Sequence, residues 1–129
     1  MSELLYRTET FNIIGACMNV HQTLGNGFLE SVYQEALEKE LKRREIPFLK
    51  QQRLNIYYGE EKLDKYFIAD FVCYDKVILE IKAVSYLGNN LTQQVVNYLK
   101  STKMEVGLLI NFGEKSLSWK RFINTPYSV

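Results

Sequence analysis

Tyr66-Phe67-Ile68-Ala69-Asp70-Phe71-Val72-Cys73-Tyr74-Asp75-Lys76-Val77-Ile78-Leu79-Glu80-Ile81-Lys82 reads as two strands joined by a turn. Both arms are rich in β-branched and aromatic residues, and Asp75-Lys76 is a polar two-residue break that reverses the chain. Side chains alternate along a strand, so Glu80 and Lys82 share one side with Ile78, while Leu79, Ile81 and Ala83 take the other. Asp70 interrupts an equally apolar run on the first arm. Two carboxylates and an ammonium therefore stand where the pattern calls for hydrophobes. A buried charge is costly unless it is paired or binds a metal, so the hairpin holds either an internal ion pair or a site.

On the N-terminal side, Gln51–Tyr58 alternates in part and reads as a strand, and Gly59-Glu60-Glu61 is a turn. Three strands with short connections make an antiparallel meander. Before it, helical spacing of Phe11, Ile14 and Met18, with Ile13, Cys17, Val20 and Leu24 beside them, predicts a helix over Thr10–Leu24. Gly25-Asn26-Gly27 stops it, because glycine takes the left-handed conformation that closes a helix. A second helix carries the stripe Leu29, Val32, Tyr33, Ala36, Leu37 and Leu41 and ends before Pro47.

On the C-terminal side, Asn90 caps a third helix over Leu91–Ser101. Glu105–Phe112 is a buried strand, which a right-handed crossover adds in parallel, and Leu117–Ile123 is an edge strand. The expected fold is α/β: a mixed sheet, made of a three-stranded antiparallel meander plus a strand added after a crossover helix, flanked by helices.

A chain of 129 residues is long enough to bury a core without disulfides, and with no linker or repeat it is expected to form a single domain over 1–129. The net charge of +1 is far below that of a protein that coats nucleic acid, so contact with phosphate has to come from a local patch. Lys39, Lys42, Arg43 and Arg44 form a cluster that is either a solvated helix face or such a patch. Tyr57, Tyr58, Tyr66 and Trp119 offer rings for base stacking, or else core and partner surface. Cys17 and Cys73 fall in apolar contexts, form no C-x-x-C and read as core thiols. Met1–Arg7 lacks the apolar region of a signal peptide, and no run is long enough to span a bilayer, so a cytoplasmic, non-membrane location is expected.

Mg²⁺ takes oxygen ligands, commonly one or two carboxylates, and Asp70 and Glu80 on neighbouring strands offer that pair. Lys82 stands where it can orient a water and stabilise charge on a phosphate. This combination suits hydrolysis of a phosphodiester by a metal-activated water and does not suit a Ser or Cys nucleophile. A salt bridge between Glu80 and Lys82 explains the same spacing. Glu30 lies at the edge of the second helix's stripe, facing a cleft or snorkelling, and Glu40 shares its arc. Gln94 lies on the apolar side of the third helix, as a site residue or a partner for a backbone group. His21, the single histidine, is a helix-end residue or a site residue.

Gly27-Phe28-Leu29-Glu30-Ser31-Val32-Tyr33 matches the signature of the GxxExxY protein family. Val20–Gly27, Glu35-Ala36-Leu37, Ala69-Asp70, Glu80–Val84, Gln94 with Tyr98-Leu99, and Gly107–Phe112 resemble that family as well. The resemblance covers nearly the whole chain. The family is grouped with the PD-(D/E)XK nuclease superfamily, whose restriction-endonuclease-like core has the element order derived above. The resemblance implies that Asp70 and Glu80 are metal ligands, with the Ile81 carbonyl as a further one, for Mg²⁺ or Mn²⁺. It implies that Lys82 is the catalytic lysine, that Glu30 is the helix glutamate added to the metal site, and that Gln94 is the polar residue reaching in from the next helix. Ala69 stands where the superfamily name has proline, a position that carries no ligand.

The implied activity is a metal-dependent nuclease acting on DNA or RNA. Many small members work as homodimers or with a partner protein, and the edge strand near Trp119 offers a surface for one. The competing reading is a non-catalytic module that keeps the fold and binds nucleic acid or protein, with Glu80 and Lys82 as a structural ion pair.

Overall fold

Val77–Lys82 and Val106–Asn111 are short runs buried along almost their whole length, as strands covered on both faces must be. In the computed structural model, which describes residues 5–124, these two strands lie at the middle of one sheet. The elements in order are α1 (Arg7–Leu24), α2 (Glu30–Arg43), β1 (Phe48–Tyr58), β2 (Glu61–Cys73), β3 (Val77–Lys82), α3 (Asn89–Thr102), β4 (Val106–Asn111) and β5 (Ser118–Ile123). The sheet order is β1-β2-β3-β4-β5. β1, β2 and β3 form the expected antiparallel meander, α3 crosses over to bring β4 in parallel with β3, and β5 closes the far edge antiparallel to β4. The first four residues of the Met1–Arg7 stretch lie outside the described residues. Among the described residues no helix is long and apolar enough to cross a membrane.

The sheet is packed on both sides. On one side, Ile13, Cys17 and Val20 of α1 and Tyr33, Leu37 and Leu41 of α2 bury against Phe71, Leu79, Ile81, Leu108 and Ile110. On the other, Leu99 of α3 covers Phe67, Ala69, Val72 and Ile78. Cys17 and Cys73 are buried free thiols, and burial pushes the Cys73 thiol up to about 12.

Several boundaries and faces differ from the sequence reading. The turn after β2 is centred on Tyr74-Asp75 rather than Asp75-Lys76: both have positive φ, and Lys76 N–H donates to Cys73 O at 3.0 Å. α3 starts at Asn89, two residues earlier than expected, because Gly88 takes the extended N-cap conformation. On α1 the buried face runs through Ile13, Ala16, Cys17 and Val20, which turns Phe11 and Met18 outward. On α2 the inward acid is Glu40, 6% exposed and paired with Arg44 at 2.8 Å and Arg43 at 3.3 Å, while Glu30 in the first turn is exposed. Lys42 pairs with Glu38 in the same way, so most of the basic cluster is an ion-paired helix face.

Leu79 is fully buried in the larger core at the centre of the sheet. Leu79→Ala is expected to lower the unfolding free energy by about 2–5 kcal/mol with an unchanged denaturant m-value, read by urea titration.

Candidate functional site

β2 and β3 pair through Cys73↔Val77, Val72↔Ile78 and Phe71↔Leu79, and the next step in that register would set Asp70 beside Glu80. There the backbone ladder stops and two side-chain bonds take over. Asp70 N–H donates to Glu80 Oε2 at 2.7 Å, and Ile81 N–H donates to Asp70 Oδ2 at 2.8 Å. Each carboxylate stands in for the carbonyl that the opposite strand no longer offers. On its other side β2 is interrupted at the same residue. β1 pairs with it at Lys50↔Phe71 and Gln52↔Ala69, skipping Gln51, which has φ 49°, and Asp70. The alternation inverts across this point, since Phe71 faces the helices α1 and α2 while Ala69 packs toward α3. Asp70 thus sits at a fork in the sheet.

Each carboxylate has one oxygen held by an N–H and one without a hydrogen bond. Among the described residues no buried side-chain oxygen lacks a partner, so Asp70 Oδ1 and Glu80 Oε1 are reached by solvent. Two anchored carboxylates with outward oxygens are a hard-oxygen donor set, which fits a cation such as Mg²⁺ or Mn²⁺. Among the described residues no three His, Cys, Asp or Glu side chains are drawn together into a ready-made metal cluster. The anchored donor set in this structure therefore consists of these two acids.

The charges interact across three elements. Burial is the main reason Glu80, only 7% exposed, is pushed up to about 8, and the neighbouring Asp70 charge adds to it against the Asp70 N–H bond and Lys82. Burial raises Asp70 too, opposed by the Ile81 N–H bond and the Lys82 charge. Glu30, exposed as a whole residue, is raised first by partial burial of its carboxyl, with Lys82 pulling down and Asp70 pushing up. Glu30 from α2, Asp70 from β2 and Glu80 and Lys82 from β3 thus feel one another. Lys82 forms no ion pair among the described residues, so the Glu80–Lys82 salt bridge of the competing reading is not made. Gln94 is exposed on the second turn of α3 and hydrogen-bonds none of these groups. Ile81 is fully buried and contributes its N–H.

Residues that spacing did not single out fix the end of β3. Asn111, fully buried and in register with Lys82, accepts from Val84 N–H at 2.9 Å and Gly113 N–H at 3.0 Å. Its amide donates to Val84 O at 2.9 Å and Glu114 Oε2 at 2.7 Å, so every polar atom of this side chain is satisfied. Phe112 N–H donates to Lys82 O at 2.8 Å. Tyr33 stacks on Phe112 with ring centroids 4.7 Å apart, and its hydroxyl donates to Gly25 O, pinning the loop from which Glu30 enters. His21 Nε2 donates to Glu114 O at 2.8 Å, which makes it a structural tie between α1 and this loop. The only cue in the sequence was a polar residue ending a fully apolar strand. A groove of about 560 Å³ between α2 and β1 runs to Gln51, beside the fork.

Two outcomes test this geometry. The folded value of Glu80 lies above its unfolded value of 4.5, so folding favours the protonated form. That stabilisation is complete below the unfolded value and is lost as pH rises through about 8. Without added metal, thermal unfolding should show stability falling from pH 5 to 8.5, by at most about 5 kcal/mol, and Glu80→Gln should flatten the fall. A parent whose stability is flat or rising over that range would contradict the burial of Glu80. Secondly, a Cβ on Gly113 would lie 2.3 Å from Val84 O and 2.5 Å from Val84 N, both backbone atoms. Gly113→Ala should cost about 1–3 kcal/mol and speed amide exchange at Val84.

A family model described as the PD-(D/E)XK nuclease superfamily matches residues 7–122, from the first residue of α1 into β5. Comparisons with curated proteins and with solved structures give no match. The α/β architecture, with a five-stranded mixed sheet between helices, is the restriction-endonuclease-like fold of that superfamily. Sheet, fork and matched span agree, and the chain belongs to the PD-(D/E)XK nuclease superfamily.

Proposed function

We propose that the protein is a nuclease of the GxxExxY type that hydrolyses phosphodiester bonds of DNA or RNA with a divalent cation, Mg²⁺ or Mn²⁺. The observation that carries this reading is the fork: two carboxylates from adjacent strands, each anchored by a backbone N–H and each with a solvent-facing oxygen, beside a lysine without a counter-ion among the described residues. Membership of a nuclease superfamily supports it.

In this reading Asp70 and Glu80 hold the cation, with the Ile81 carbonyl as a further donor. A bound divalent cation supplies Lewis acidity toward the phosphoryl oxygen and lowers the pKa of the attacking water. The N–H bonds from Ile81 and Asp70 fix the two carboxylates before substrate arrives, so little reorganisation is needed on binding. The Lys82 ammonium, free of an ion pair among the described residues, donates to the phosphate oxygens and stabilises the charge that grows there as water adds and one ester P–O bond breaks. Its backbone is locked by Phe112 and by the Asn111–Val84 clamp. This reading also assigns Glu30, in the first turn of α2, as an added carboxylate and Gln94, on α3, as a polar contact to the substrate. A binding module built on a Glu80–Lys82 ion pair is disfavoured, because that pair is not made.

Purified protein with Mn²⁺ or Mg²⁺ should cut labelled DNA or RNA, and Asp70→Asn and Lys82→Ala should each lower the rate by about 10²-fold or more. Asp70→Asn cutting as fast as the parent would overturn the reading, as would a parent that cuts no form of nucleic acid. Because the cation must displace the Glu80 proton, calorimetric Mn²⁺ affinity should rise about tenfold per pH unit from pH 6 to near 8 and then level off. In Glu80→Gln the pH dependence should vanish along with most of the affinity.

A further inference from the structure

Beyond the fork, β1 and β2 continue as a two-stranded ribbon with two unlike faces. Toward α3 it is packed: Leu54, Ile56 and Phe67 join the smaller core, and Phe67 stacks on Tyr98 with centroids 3.7 Å apart. On the opposite face Arg53 pairs in register with Ile68, and Asn55 with Tyr66. Tyr66 and Ile68 are each 47% exposed and Arg53 is exposed as well. By alternation these rows are Tyr66 and Ile68 along β2 and Asn55 and Arg53 along β1. They end at the fork, where Asp70 and Gln51 follow and the pairing is interrupted.

The chemistry of this face is specific. The Arg53 guanidinium lies over the Tyr66 ring, 3.9 Å from its centroid, and has no carboxylate partner among the described residues. The side chains of Gln51 and Asn55 likewise make no hydrogen bond among the described residues. A planar cation backed by an aromatic ring offers a stacking surface for a base and N–H donors for a phosphate. The Gln51 and Asn55 amides, four residues apart on β1 with Arg53 between them, offer donors and acceptors for base edges. A net charge of +1 gives no wide electrostatic platform for a duplex, whereas a narrow stacking strip suits one unpaired strand.

We infer that this ribbon face binds a single-stranded segment of nucleic acid next to the phosphate at the fork, with a base stacked on the Arg53–Tyr66 pair and backbone or base-edge contacts from Gln51, Arg53 and Asn55. The inference rests on the nuclease reading of the fork. It makes the preferred substrate a nucleic acid with unpaired nucleotides beside the cut, and it makes Arg53 and Tyr66 binding residues rather than catalytic ones.

The test is fluorescence anisotropy with labelled single-stranded DNA, single-stranded RNA and duplex oligonucleotides, using full-length Asp70→Asn protein so that nothing is cut. One single-stranded form should bind more tightly than the duplex, and the comparison of the two names the sugar. Tyr66→Ala and Arg53→Ala should each weaken binding about 5- to 100-fold, while Tyr66→Phe stays within about twofold. In the otherwise unmodified enzyme, Tyr66→Ala should raise KM with little change in kcat. Equal binding by the parent, Tyr66→Ala and Arg53→Ala would overturn the inference. So would tighter duplex binding, or loss of self-association in Tyr66→Ala without loss of oligonucleotide binding. If the enzyme cuts but KM ignores Tyr66 and Arg53, the ribbon inference fails and the nuclease reading stands. If it never cuts but both substitutions release single strands, the reverse holds. Unchanged melting of both variants shows that binding, not folding, is being read.

Discussion

The site depends on one exchange of hydrogen bonds. Where β2 and β3 part, Asp70 N–H goes to the Glu80 carboxylate and Ile81 N–H goes to the Asp70 carboxylate. Two buried backbone donors that would otherwise lose their partners are satisfied, and two acids are tolerated where the sheet is otherwise apolar. The cost appears in the raised values of both carboxyls, for which burial is the leading cause. A protein built only for stability would continue the ladder and carry hydrophobes here. The fork keeps two oxygens facing outward, and this is the arrangement a hard cation needs.

The rest of the fold places groups around that fork. Parallel pairing of β3 with β4 sets Asn111 beside Lys82, and the Asn111 clamp with Phe112 and Gly113 fixes the chain where Lys82 leaves the sheet. Tyr33, one turn after Glu30 on α2, stacks on Phe112 and ties the preceding loop through Gly25. The glutamate and the tyrosine of the Gly27–Tyr33 signature are therefore different parts of one device, the tyrosine anchoring the helix whose first turn carries the acid.

Much of this was legible in the sequence. The meander, the crossover helix and the parallel strand follow from strand-forming runs, turn residues and the alternation of apolar character, and three charges in two apolar strands marked the fork. Pitch could not rank Glu30 against Glu40, because both fall on the same arc of α2; only the packing of α2, which buries Glu40 against Arg43 and Arg44, separates them. Alternation placed Glu80 and Lys82 on one side but could not show whether they pair, since that depends on how the strands splay. The inversion at Gln51 and Asp70 was invisible for a related reason: a local break in both strands conserves the register on either side of it. The Asn111 clamp depends on contacts between chain segments 27 residues apart, which no local pattern reports.

The most direct test of the account is a crystal soaked in Mn²⁺ and measured at the metal's absorption edge. The account predicts an anomalous peak in contact with Asp70 Oδ1 and Glu80 Oε1, with Lys82 left free of both acids. A peak elsewhere, or no peak together with a closed Glu80–Lys82 ion pair, would contradict it.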